Sequence, residues 1–257
     1  MTVGEFYHIL DTLYPRTLSC SWDNDGLMVC AEPDTPITAV AVALDATERS
    51  IAFAAEKGCQ LLLTHHPLLF RPLKELHPGS LAGRRVLSAL RGGVSVISLH
   101  TRLDAGDGGV NDALAAALGL AVLEKFGDAD APELGRISVL PEAADAEHFA
   151  GHVREALGCD AVVWSGTHPV RRVALVGGDG KDMIPAAIAA GADTLLTGAA
   201  SYNAALDAAE SGLNLIEAGH YHTEAPVLDR LAALAREHTG AECFFYDSSL
   251  SRVSVQN

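Results

Sequence analysis

No C-x-x-C pair occurs in this sequence. Its five cysteines, Cys20, Cys30, Cys59, Cys159 and Cys243, are scattered and odd in number, which excludes a disulfide framework and a zinc knuckle and predicts reduced core thiols. No block of lysine and arginine offsets the formal charge of −15, so a phosphate backbone would be repelled and nucleic acid is not an expected partner. No apolar run approaches the roughly 20 residues that cross a bilayer. The stretch Met1 to Leu18 reads as an amphipathic helix without the basic and apolar regions of a signal peptide, and a cytoplasmic protein is expected. Serine-histidine-aspartate hydrolysis has no G-x-S-x-G elbow to use. Aromatic residues are scarce, at 5% of a chain that is 49% hydrophobic, so alanine, leucine and valine must fill the core.

What the chain does contain is an alternation of short apolar runs and helical spacings. Ile37 to Leu44 is a β run ending at Asp45. Ala46 to Lys57 is helical and stops at Gly58, Gln60 to Thr64 is the next strand, Ser80 to Arg91 the next helix, and Val94 to Leu99 a third strand. This order predicts a mostly parallel sheet covered on both faces, an α/β layer sandwich. After Lys125 the pattern weakens through a polar, proline-containing stretch, and a second α/β series begins at Arg136. The spacing thus predicts a first domain over 1–126 and a second over 127–257, with 225–257 free to pack back on the first.

The most informative stretch is Leu61-Leu62-Leu63-Thr64-His65-His66-Pro67, where an apolar strand ends in two imidazoles and a proline. Adjacent side chains on a strand face opposite ways, so the pair is expected where the strand stops and its rim presents both rings. Imidazole is the commonest metal ligand, and the carboxyl ends of strands are where open α/β sheets place their sites. His65 and His66 therefore read as metal ligands. Two further β runs end in similar groups: His100-Thr101-Arg102-Leu103-Asp104 and Gly219-His220-Tyr221-His222-Thr223-Glu224. Three imidazoles and two carboxylates suit zinc, iron, manganese or cobalt, and five donors suit two ions better than one. Plainer readings stand beside these: Asp104 can order a turn, Glu224 can favour a helix dipole at the start of a helix, and the remaining histidines can cap or face solvent. Gly177-Gly178-Asp179-Gly180, between a strand and a helix, is either a phosphate cradle or a plain tight turn.

Ser21-Trp22-Asp23-Asn24-Asp25-Gly26-Leu27, Leu44-Asp45-Ala46-Thr47, the two histidine segments, Gly109-Val110-Asn111-Asp112, the glycine turn and Gly219-His220-Tyr221-His222-Thr223-Glu224 together span nearly the whole chain. In this order they resemble the dinuclear metal-centre proteins known as GTP cyclohydrolase I type 2 homologues (Nif3-like). That resemblance implies that His65, His66, Asp104, His220 and Glu224 bind two divalent metal ions, with His100 close by. It also implies two similar α/β layer-sandwich domains with the metals in the cleft between them, and ring-shaped homohexamers. Many such relatives carry an acidic residue and a histidine where this chain has Ala199 and Asn203, so a proton-transfer or substrate-binding group is replaced here.

The expected activity is that of a metal-dependent hydrolase using a metal-bridging hydroxide on a small substrate, nucleotide-like molecules being among the candidates. In this scheme Asp104 and one imidazole hold one ion, His220 and another imidazole the second, and Glu224 bridges them. His100 or His222 shuttles a proton. The alternatives are a metal-stabilised oligomeric scaffold or regulatory protein without catalysis, and GTP cyclohydrolase proper.

Overall fold

Strands buried on both faces have no solvent side to alternate against, and the two most apolar runs of this chain, Ala39–Asp45 and Leu61–His66, are of that kind. A computed structural model describes residues 1–250. Its first elements are α1 (Val3–Leu13), β1 (Gly26–Val29), β2 (Ala39–Asp45), α2 (Glu48–Glu56), β3 (Leu61–His66), α3 (Leu81–Arg91) and β4 (Ser95–Ser98). They continue with α4 (Thr101–Ala105), α5 (Val110–Ala117), β5 (Val122–Phe126), β6 (Gly135–Ala144), α6 (Ala146–Leu157), β7 (Val162–Ser165) and β8 (Val170–Asp179). The remainder is α7 (Ile184–Ala189), β9 (Thr194–Ala199), α8 (Tyr202–Glu210), β10 (Asn214–Glu217), α9 (His220–Glu224), α10 (Val227–Thr239) and β11 (Glu242–Phe245).

These elements form two compact units. The first comprises Met1–Ile9, Asn24–Ser98 and the chain from Leu231 onward; the second comprises Leu10–Asp23 and Leu99–Arg230. Between Ser98 and Leu99 the chain passes from the first unit to the second, so the His100 to Asp104 segment belongs to the second unit. Strand pairing is the reason. β5, expected in the first domain, pairs antiparallel with β6, Phe126 opposite Gly135. At the other end β11 lies parallel to β2, Glu242 opposite Ala39, so the chain's last strand joins the first sheet.

The first unit's sheet has the order β1-β4-β3-β2-β11, with β1 antiparallel and the other strands parallel. On one face Ala41, Ala43, Leu62 and Val96 pack with Ile51 and Ala54 of α2 and Val86 and Ala89 of α3. Small and branched aliphatic side chains make this contact, as the scarcity of aromatics requires. Thr47 caps α2 by accepting from Ser50 N at 3.0 Å, while Ser50 Oγ accepts from Thr47 N at 2.8 Å, a reciprocal box that starts the helix directly after β2.

The second unit's sheet has the order β5-β6-β8-β9-β10-β7. Its centre repeats the motif of the first: three adjacent parallel strands, here β8, β9 and β10, with an antiparallel neighbour beside the last of them. Successive residues of β8 enter different cores, since Val173 and Leu175 pack with α5 and α6 whereas Ala174 and Val176 pack with α7 and α8. The sheet is thus sandwiched by helices. Two arginines are buried with 0% exposure in this unit. Arg102 donates to Asp11 Oδ1 at 2.8 Å and to the Tyr14 carbonyl at 2.9 Å. Arg136 takes both Asp112 oxygens, at 2.6 and 3.1 Å, and also donates to the carbonyls of Ala105 and Gly106.

All five cysteines are free thiols, and burial pushes those of Cys20 and Cys59 up to about 11. Among the described residues no helix is long and apolar enough to cross a membrane.

Candidate metal centre

In the first unit the site begins with strand register. β2 and β3 are parallel neighbours with Asp45 opposite His66, so the two side chains project from the same face at the strands' carboxyl ends. His66 Nδ1 lies 2.9 Å from Asp45 Oδ1. Both histidines lie within β3, which runs through His66 and stops at Pro67, instead of the strand ending before the pair. The consequence is alternation: His65 is buried with 0% exposure while His66 is half-buried. The rings still lie near each other, with centroids 4.9 Å apart at an interplanar angle of 46°.

In the second unit His100 is the N-cap residue of α4. Its Nδ1 lies 2.9 Å from Asp23 Oδ1, and Thr101 donates to Asp23 Oδ2 from its amide at 3.0 Å and from its hydroxyl at 2.5 Å. Burial alone would raise the Asp23 carboxyl, but the hydrogen bond and charge of His100 and the two bonds from Thr101 outweigh it and hold the group at about 2. An ionised carboxylate only accepts, so His100 Nδ1 is the donor in this bond. Carboxylate-held imidazoles of this type are the usual metal-ligating and proton-transferring arrangement.

This pair makes a pH-dependent contribution. The Asp23 carboxyl lies below its ordinary 3.8, so its contribution to stability, about 2 kcal/mol at 1.36 kcal/mol per pKa unit, is complete above about pH 4 and is lost as the pH falls through about 2. The melting temperatures of metal-free wild type and Asp23→Asn are expected to converge across that window. A gap that stays constant down to pH 2 would contradict the assignment.

His220 and Glu224 lie four residues apart on α9, on one face of a single-turn helix. His220 Nε2 is 3.3 Å from Glu224 Oε1, the histidine half-exposed and the glutamate buried. Glu224 ends this helix and does not start the next: Pro226, which has no amide proton, separates α9 from α10. His222 falls about 200° round the helix from His220, and its ring meets Tyr221 edge-on with centroids 5.6 Å apart. Asp104 lies in α4, half-buried, its carbonyl accepting from Asn111 Nδ2 at 3.3 Å.

The backbone around α9 is shaped for close approach. Gly178 has φ +68°, and a Cβ there would stand 2.3 Å from Glu224 Oε1. A Cβ on Gly198 would meet Thr223 Oγ1 at 2.4 Å and His220 Cα at 2.7 Å. The glycine segment is neither a phosphate cradle nor a plain turn: Gly177 to Asp179 continue β8 with a register shift against β9, and its amides are engaged, Gly177 N donating to Asn111 Oδ1 at 2.7 Å, Gly178 N to Thr223 Oγ1 at 3.1 Å and Gly180 N to Thr197 Oγ1 at 2.9 Å. Ala199 ends β9 in register with Asp179, which pairs with Lys181. Asn203 is exposed and lines a shallow hollow with Lys181, Asp182, Ser201 and Asp207.

His65, His66, His100, His220 and Glu224 belong to donor groups able to take a metal ion, whereas Asp104 and His222 belong to none among the described residues. The donors are nitrogen and oxygen without thiolate, which fits a divalent transition ion. Asp45 and Asp23 were not singled out from the sequence, although each stands beside a strand end that carries a quoted motif; their use as histidine partners depends on long-range pairing.

The model of the Duf34/NIF3 (NGG1p interacting factor 3) family matches residues 1–250. A Clostridium perfringens protein named GTP cyclohydrolase 1 type 2 homolog is 31% identical over 250 residues, covering 95% of each chain. A Streptomyces coelicolor protein of the same name is 33% identical over 234 residues, covering 87% of this chain and 82% of its own. The crystal structure of a Bacillus cereus protein related to NIF3 shares the fold at a TM-score of 0.83 and 22% identity, covering 100% of this chain and 99% of its own. With its model matched from end to end of the described residues, this chain belongs to the Duf34/NIF3 family.

Proposed function

We propose that this protein is a dinuclear metal-dependent hydrolase of small molecules, with His65, His66, Asp104, His220 and Glu224 holding two divalent ions, zinc, iron, manganese or cobalt. The observation that carries the reading is the pair of carboxylate-held imidazoles, His66 on Asp45 and His100 on Asp23, each with Nδ1 at 2.9 Å from an aspartate oxygen. Two ions, when bound, supply acidification of water and polarisation of the group it attacks. The chain's own residues do the rest. Asp45 fixes the His66 ring so that Nε2 is the donor, and the glycine-lined backbone lets Glu224 sit beside His220 without steric conflict. His100, oriented by Asp23, is the proton carrier, and His222, on another side of its helix, is the secondary candidate for that role.

The names of the relatives make nucleotides the first substrate class to test, in a homo-oligomeric, hexameric, cytoplasmic protein. Chelated and then reconstituted protein should take up two equivalents of metal by elemental analysis. It should also turn over one of phosphoesters, nucleotides or cyclic amides only when loaded. Formate release from GTP would identify a cyclohydrolase proper. The absence of stoichiometric uptake by carefully prepared protein would defeat the reading. Ala199 and Asn203 favour a second one, a metal-stabilised scaffold, for which chelation would change the size of the assembly while no substrate showed metal-dependent turnover.

A further inference from the structure

The two glycines at the end of β8, Gly177 and Gly178, are held by side chains from two other segments. Asn111 has 0% exposure and spends its side chain on three backbone segments: Nδ2 donates to the Asp104 carbonyl at 3.3 Å and the Leu134 carbonyl at 2.8 Å, while Oδ1 accepts from Gly177 N at 2.7 Å. One residue further along, Gly178 N donates to Thr223 Oγ1 at 3.1 Å. That hydroxyl, also on a residue of 0% exposure, lies 3.1 Å from the Gly219 carbonyl and 3.0 Å from that of His220. A continuous chain of bonds therefore runs from the Asp104 segment through Gly177 and Gly178 at the end of β8 to the helix that carries His220 and Glu224. α5 packs against both α4 and α9, and these two side chains add directed polar contacts to that packing.

We propose that Asn111 and Thr223 are positioning residues of the metal centre, which hold Gly177 and Gly178 at the end of β8 and thereby keep the Asp104 segment in register with His220 and Glu224. The proposal rests on the metal reading above. Groups that orient ligands without touching the ion are worth about 10- to 100-fold in affinity, and a buried polar side chain with no ligand to orient would affect stability alone.

The test uses the full-length apoprotein, titrated with cobalt(II) and followed by the visible absorption of the bound ion. Thr223→Val removes the hydroxyl at nearly constant volume, Thr223→Ser restores it, and Asn111→Asp keeps the acceptor for Gly177 N while losing both donors. Thr223→Val and Asn111→Asp are expected to weaken cobalt binding about 10- to 100-fold and alter its absorption bands, with Thr223→Ser within about 3-fold of wild type. Folded variants that bind cobalt with wild-type affinity and an unchanged spectrum would overturn the positioning role. If Asn111→Asp fails to fold, the valine and serine pair at residue 223 decides the matter. Wild type that takes up no cobalt would instead defeat the metal reading itself, and the two failures are thereby distinguished.

Discussion

Glu224→Ala is expected to lose metal by at least 100-fold in affinity for one ion and to reduce turnover to the metal-free background, while its apoprotein melts no lower than wild type. Both halves follow from burial. The carboxylate lies in a nearly dry environment, with 4% of the residue exposed, beside one imidazole at 3.3 Å. Loss of a donor that binds the ion directly exceeds the 10- to 100-fold typical of groups one step removed. In the apoprotein the same buried carboxyl group is polar surface whose desolvation disfavours the fold, so alanine relieves that cost even as it leaves a small cavity. Ordinary structural residues show the opposite pattern, with stability falling and ligand affinity following it. The measurement is elemental analysis with calorimetric titration, paired with thermal unfolding of the chelated protein. Retention of two equivalents of metal by Glu224→Ala would remove Glu224 from the site.

Arg136→Met is expected to destabilise the protein by about 3–5 kcal/mol, the range found when one partner of a buried ion pair is removed. The guanidinium is fully buried and uses its fork on both Asp112 oxygens and on the carbonyls of Ala105 and Gly106. Methionine fills much of the volume but leaves Asp112 with the Gly108 amide alone and the Ala105 and Gly106 carbonyls without the guanidinium, which is the costly half of the asymmetry in buried polar groups. Urea denaturation with an unchanged slope should show the loss, and the double variant Arg136→Met with Asp112→Leu should recover most of it, because both charges are then absent. A single variant as stable as wild type would mean that Asp112 and the carbonyls find other partners. The functional consequence is local, since Ala105 and Gly106 directly follow Asp104 and are held by the same side chain.

Much of this architecture was legible along the chain. The apolar runs around β2 and β3, the helices between them and the parallel order they impose follow from local spacing. His65, His66, His100, His220 and Glu224, which belong to the donor groups, stand out in the sequence because they lie at or just after apolar runs, with residue types that a core does not tolerate without a partner. The division of the chain was not legible in the same way. β5 reads as the end of one series and pairs into the other, and β11 returns to β2 across most of the sequence; a local pattern shows that a strand exists but not which edge it will join.

The sequence by itself determined the chemistry available, nitrogen and oxygen donors at strand ends with glycines nearby, because residue type and local periodicity are written in neighbouring positions. Only the tertiary structure decided which carboxylates serve those donors. Asp45 meets His66 through the register of β2 and β3, Asp23 meets His100 across 77 positions of chain, and Asn111 and Thr223 bond the adjacent amides of Gly177 and Gly178 at the end of β8. Such pairings are settled by the packing of distant segments against one another, a global free-energy balance that no short window of residues contains.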